Sequence, residues 1–177
     1  IMVIGADRAS VLADAADRNT RPLFGDGAGA VLLERSAAPG LIATELGAEG
    51  ALRGILEVPA GEQTLSMAGR EVYKHVLSRC PPLIRRVCEA AGWPVTALDH
   101  LVFHQGNARM LEALRKRLEL RPDQVVSNVA RVGNTSAASI PIALDEAVRG
   151  GRVVTGQKLV FAGVGAGLVW GAIALRW

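Results

Sequence analysis

The stretch LDHLVFHQGNARMLEALRKRL, Leu98–Leu118, changes its period in the middle. Leu98 to Phe103 is a short apolar run of strand length. From Ala108 onward, Met110, Leu111, Leu114 and Leu118 recur at three- and four-residue intervals, the mark of one apolar helix face. His104, Gln105, Gly106 and Asn107 sit between the two. A strand that hands over to a helix across so short a turn is a building unit of a layered α/β domain. The same handover leaves His104 at a strand end, where sites of α/β folds gather.

Working outward, strands and helices keep alternating. Ile1–Ala6 reads as the interior of a strand, and a sequence that opens inside a strand reads as a piece of something longer. Residues 7–22 are polar, with Asp14, Asp17, Arg18 and Asn19, and read as an exposed loop. Leu23–Glu34 reads as a Gly-rich turn followed by the strand Ala28–Leu33, with Leu41–Gly47 as its antiparallel neighbour. Gly50–Ser66 reads as a long loop, a type of segment that is often functional. Met67–Arg79 has Val72, Val76 and Leu77 at helical spacing. Pro81-Pro82 is expected to stop that helix, and Pro82 to open a second one running to Ala91 and ending at Gly92. Val125–Val126 is a brief strand, and Ser136–Val148 is a helix closed by Gly150-Gly151. Leu159–Ala162 and Leu168–Leu175 form a final hairpin. No internal boundary divides residues 1–177.

Composition narrows the class. Half of the residues are hydrophobic, 21% are charged and 20 are Gly, which fits a globular chain and not a disordered one. Aromatics are only 4%, so Val, Leu, Ile and Ala must build the core. No apolar run reaches the ~20 residues of a membrane helix, and no basic-then-apolar signal segment opens the chain. Cys80 and Cys88 offer neither a disulfide framework nor a metal spacing, so reduced cytoplasmic thiols are expected. A net charge of +3 hints at an acidic partner. Aromatic residues do not interleave with the basic ones, which argues against nucleic acid.

Five segments could carry chemistry, and each has a plain structural reading. His104 alone reads best as a structural His bonded to a carbonyl. Asn134, before Thr135-Ser136-Ala137-Ala138-Ser139, reads best as a helix N-cap. Gly163-Val164-Gly165-Ala166-Gly167 is a tight hairpin, or a loop whose N–H groups face a ligand as in an oxyanion hole. Asp26 in FGDGAGA could ligate a metal, but it lacks a second carboxylate at matching spacing, and an Asp-Gly turn is the better reading. Arg109, Arg115, Lys116 and Arg117 read as a solvated helix face. Neither cysteine lies where a thiolate would be stabilised.

In combination these segments are far more specific. FGDGAGAVLLE, MAGREVYK, HQGNARM, NTSAASIPIALDEA and the Gly turn into LVWG, in that order over essentially the whole chain, resemble β-ketoacyl-ACP synthase III of the thiolase superfamily. The resemblance implies the C-terminal half of a layered αβαβα fold, with a mixed five-stranded sheet under helices. It implies decarboxylative Claisen condensation of an acyl-CoA primer with malonyl-ACP, in fatty acid or polyketide biosynthesis. It assigns His104 and Asn134 as the catalytic pair that donates hydrogen bonds to the enolate oxygen. It assigns Gly165, Ala166 and Gly167 to an oxyanion loop, Phe24 and Leu65 to the acyl pocket, and Arg18, Gly69 and Arg70 to the CoA and pantetheine channel. The family often has Asn at the place of Arg70. Arg109 matches a basic residue that docks the acyl carrier protein. A cytoplasmic homodimer is implied, with no cofactor, no metal, no nucleic acid and no membrane.

The family's nucleophilic Cys lies in an N-terminal half, and neither Cys80 nor Cys88 matches it. This chain is therefore expected to act with a complementary half that carries the thioester. An acyltransferase to a hydroxyl or amine, and a non-catalytic partner subunit, are the alternatives. Asn134 weighs against the acyltransferase, because an amide cannot orient a basic His as a carboxylate does.

Overall fold

The computed structural model describes residues 1–14, 16–18, 20–38 and 40–177; Asn19 of the polar loop lies outside them. Its centre is a mixed sheet in the order β3 (Leu41–Ala48), β8 (Val169–Arg176), β7 (Lys158–Gly165), β6 (His100–Phe103). β6 and β7 are parallel, and the other two pairings are antiparallel. Four strands are therefore complete. The expected fifth, at Val125–Val126, is reduced to a single parallel bridge from Val125 to Leu101.

Side-chain alternation along each strand feeds two cores. Leu101 and Phe103 of β6 and Val160 and Ala162 of β7 face α1 (Gly69–Ala90) and α2 (Ala108–Arg117), where Leu83, Ile84, Val87 and Leu114 are fully buried. Val102 and Leu159 face the other way, onto Ala143, Leu144 and Ala147 of α4 (Ser139–Arg149), which follows the short α3 (Val129–Val132). His104 continues the parity of Val102, so it emerges on the α4 side.

β1 (Met2–Arg8) pairs antiparallel with β2 (Asp26–Leu32) in a separate ribbon, with Gly5 opposite Gly29. Two expectations change here. Leu41–Gly47 does not pair with Ala28–Leu33 but with β8, Thr44 against Ile173 and Gly47 against Trp170. The glycines 25, 27 and 29 are not a turn either, because the strand already begins at Asp26. They occupy one face of the chain, and that face presses on residues 132–142, the segment before α4 and its first turn. A Cβ would stand 2.1 Å from the Val132 carbonyl oxygen at Gly25, and 2.8 and 2.9 Å from Ile142 and Pro141 at Gly27 and Gly29. Glycine here serves close approach of backbones.

The long loop 50–66 contains a 3₁₀ segment, Gly50–Ile55, and the short strand pair β4 (Leu56–Glu57) and β5 (Ser66–Met67). Pro81 and Pro82 do not break the helix, since α1 runs through both. Pro81 has no N–H to give to the Leu77 carbonyl four residues back. The Arg117 guanidinium, from the end of α2, donates to that carbonyl at 2.7 Å instead. A long-range partner thus replaces the bond that proline removes.

Candidate active site

His104 is held from three sides. Its N–H donates to the Ala162 carbonyl at 2.9 Å, extending the β6–β7 pairing by one residue. The next residue, Gln105, is fully buried and satisfies three backbone groups. Its Nε2 donates to the Phe103 and Val126 carbonyls, and its Oε1 accepts from the Asn128 N–H. The His104 ring places Nδ1 2.7 Å from the Ser139 hydroxyl at the start of α4. Asn107 caps α2 by accepting from the Met110 N–H at 2.8 Å.

Burial pushes the His104 pKa down to about 4, against a smaller upward pull from the Ser136 carbonyl. The imidazole is therefore neutral at pH 7. An unfolded His titrates near 6.5, so between about 4 and 6.5 the unfolded chain binds a proton that the native one does not. Stability from this group is full above pH ~6.5 and is lost as pH falls towards 4. The ring is half-buried and open to the cavity, so about 3 kcal/mol is the ceiling. Urea midpoints of the wild type are expected to fall between pH 7 and 4.5 more steeply than those of His104→Gln. Parallel curves would show that His104 does not titrate this way.

Asn134 is not a helix N-cap. Its Oδ1 accepts from the Ser136 N–H at 2.9 Å, an Asx turn, which leaves the NH₂ as the group offered to the cavity. The backbone around it is tightly specified. Gly133 and Ser136 have positive φ, +72° and +51°. The strain at Ser136 is of the kind kept at functional sites. The Asn134 N–H donates to the Leu23 carbonyl at 2.7 Å, and the Gly25 N–H donates to the Asn134 carbonyl at 2.9 Å. The ribbon side of the molecule thus holds Asn134, while the sheet holds His104.

Both residues line one apolar cavity of about 1130 Å³. Phe24, Leu65, Gly69, Arg70, Arg109, Gly165 and Ala166 reach the same space. Gly167 is in the hairpin turn beside it, with φ +125°. Arg18 is exposed and lines a separate shallow depression with Arg21 and Pro22. Arg115 and Lys116 both pair with Glu112, holding its carboxyl down to about 2. Arg117 donates to the Leu77 carbonyl, so Arg109 is the one basic residue of α2 with neither an ion pair nor a side-chain hydrogen bond among the described residues. Asp26 accepts from the Ser10 N–H and hydroxyl, which lowers its pKa. Among the described residues no group of three His, Cys, Asp or Glu could hold a metal. Cys80 and Cys88 are buried, and burial raises their thiols to about 12 and 11.

Sequence reasoning missed Ser139 and Gln105, the residues that touch or brace His104. It also missed Tyr73, Val58 and Met67 in the cavity wall. The Ser-Ala-Ala-Ser run was the available signal for Ser139, because its second Ser follows the first by three residues, nearly one helical turn.

Two family models match the chain: 3-oxoacyl-[acyl-carrier-protein (ACP)] synthase III C terminal over residues 88–177, and 3-oxoacyl-[ACP] synthase III over residues 1–50. Among similar proteins, β-ketoacyl-[acyl-carrier-protein] synthase III of Trichodesmium erythraeum is 41% identical, over 100% of this chain and 59% of that protein. β-Ketoacyl-[acyl-carrier-protein] synthase III 2 of Streptomyces coelicolor is 44% identical, over 99% of this chain and 54% of that protein. The crystal structure of the Aquifex aeolicus 3-oxoacyl-[acyl-carrier-protein] synthase III superposes with TM-score 0.96 at 40% identity, over 99% of this chain and 57% of that one. The chain spans just over half the length of the relatives it matches.

Proposed function

The chain belongs to the 3-oxoacyl-[acyl-carrier-protein] synthase III family, and on that ground we propose that it supplies the enolate-stabilising part of a decarboxylative Claisen condensation. One observation carries the reading. A neutral imidazole and an amide NH₂ whose own oxygen is occupied line the same cavity. Together they offer two N–H donors to one oxygen. Donors fixed in advance at a developing oxyanion lower a barrier without reorganising during the reaction.

In this proposal the chain, residues 1–177, is the C-terminal half of a condensing site. A complementary half carries a Cys that takes the acyl group from acyl-CoA, releasing CoA as the thiol. Malonyl-ACP enters the cavity and loses CO₂, and its thioester enolate is held by His104 and Asn134. The enolate carbon attacks the Cys thioester, giving β-ketoacyl-ACP and the free Cys thiolate. Backbone N–H groups at 165–167 face the tetrahedral oxygen of that second step. Phe24 and Leu65 contact the primer. Gly69 and Arg70 border the pantetheine path, with Arg18 further out at the CoA end. Arg109 faces the acidic carrier protein. The buried, alkaline-shifted Cys80 and Cys88 do not suit the role of that nucleophile. The exposed apolar side chains of Ile1, Met2, Ile4 and Leu46 fit a surface that another segment covers. A cytoplasmic homodimer in fatty acid or polyketide biosynthesis completes the proposal.

The test is release of CO₂ from carboxyl-labelled malonyl-ACP by the full polypeptide with an acyl-CoA primer. Release with formation of β-ketoacyl-ACP is expected. Acyl transfer without CO₂ would replace the proposal with an acyltransferase.

A further inference from the structure

We infer that Ser139 is a positioning residue that fixes His104 as the tautomer with its proton on Nε2. The inference rests on the reading of His104 as a donor to the enolate. Ser139 is 1% exposed, so water does not compete for its hydroxyl. Its Oγ stands 3.4 Å from the Gln105 backbone nitrogen and 2.7 Å from His104 Nδ1. A backbone N–H can only donate, so Oγ accepts there. The Ser136 carbonyl accepts the Ser139 N–H with one of its two lone pairs, and among the described residues His104 Nδ1 is the acceptor recorded within hydrogen-bond distance of Oγ. The proton of Oγ therefore goes to Nδ1, whose lone pair accepts it. In neutral imidazole the bond made by one nitrogen decides which nitrogen carries the proton. Nδ1 as acceptor leaves Nε2–H, and the Nε2 edge borders Gly106 on the cavity wall. The opposite tautomer would turn a bare lone pair towards the enolate oxygen and repel it.

The chain Gln105 N–H to Ser139 Oγ to His104 Nδ1 also explains why Gln105 is braced so fully. The amide that starts it is fixed by the side chain of its own residue. Loss of a neutral hydrogen bond of this kind is expected to lower turnover about tenfold. KM for malonyl-ACP is expected to change less than turnover, because Ser139 meets the cavity with only 1% of its surface exposed and its hydroxyl contacts His104 Nδ1.

The full polypeptide labelled with ¹⁵N-histidine decides the matter. Long-range ¹H–¹⁵N correlation, with the His104 signals assigned by their loss in His104→Gln, reads the tautomer directly. The expected wild-type spectrum has Nδ1 unprotonated and Nε2 protonated. Ser139→Ala is expected to mix the tautomers and cut turnover, and Ser139→Thr to restore both. A wild-type Nδ1–H signal overturns the inference and makes the Ser136 carbonyl the acceptor of the ring. An unchanged tautomer in folded Ser139→Ala also overturns it. If Ser139→Ala does not fold, the wild-type spectrum alone decides. Absence of CO₂ release with the expected tautomer would instead sink the enolate reading and leave the role of Ser139 standing.

Discussion

Replacing His104 with alanine is expected to slow CO₂ release from malonyl-ACP by ~10²–10³-fold, the cost of about 3–4 kcal/mol for one preorganised oxyanion donor. The fold should survive the change. His104 is the last residue of the β6–β7 pairing, and its backbone bond to Ala162 does not need the ring. The Ser139 hydroxyl, freed of Nδ1, can turn to water in the cavity. The variant should also lose the acid-side destabilisation of the wild type, since the group that resists protonation is gone. Asn134→Ala should cost a similar factor. In the proposed reaction the two donors serve one oxygen, so the double variant should cost much less than the product of the singles. Stopped-assay CO₂ counts with a thermal melt for each variant would measure this. A tenfold effect or less for His104→Ala in a folded protein would remove it from the enolate role.

Gly25→Ala is expected to damage both stability and turnover although it changes no polar group. Its new Cβ would lie 2.1 Å from the Val132 carbonyl oxygen, and a backbone oxygen cannot move aside as a side chain can. Strain of this sort costs ~1–3 kcal/mol. The ribbon must then lift from residues 132–134, which breaks the Gly25–Asn134 bond and the bridge of Phe24 to Asn134. A displacement of about 1 Å at a reacting group can cost ~10²-fold in rate. Gly50→Ala is the matched control, because a Cβ there meets nothing within 4 Å. It should leave stability within ~0.5 kcal/mol of wild type. Equal behaviour of the two variants would show that Gly25 is not pressed against the Asn134 segment.

What the sequence made legible, and what it hid, divides along one physical line. Period, length and capping are local properties, so the order of elements from β6 to β8 could be read directly. Pairing is long-range. Nothing near Leu41–Gly47 says that its partner lies far along the chain in β8, with Leu41 against Leu175 and Gly47 against Trp170. Pro81-Pro82 misled for the same reason, because the group that rescues Leu77 is Arg117 on another helix. The glycines 25, 27 and 29 misled because glycine permits both turns and close packing, and only the opposing backbone tells which. At the site, His104 and Asn134 stood out through their neighbours in the chain. Ser139 did not, because a Ser beginning a helix is ordinary and the ring it meets is 35 residues away. Gln105 was visible in the motif, but two of its three backbone bonds are to the loop at 126–128.

The two donors hang from different parts of the molecule. His104 is fixed to the sheet through Ala162. Asn134 is fixed to the ribbon side through Leu23 and Gly25. In mechanical terms the site is a caliper with one jaw on each body, and neither motif sets the gap alone. The glycines seated on the 132–142 segment are the seam where the two sides meet. The spacing of the pair in this structure thus depends on that seam as well as on the two motifs.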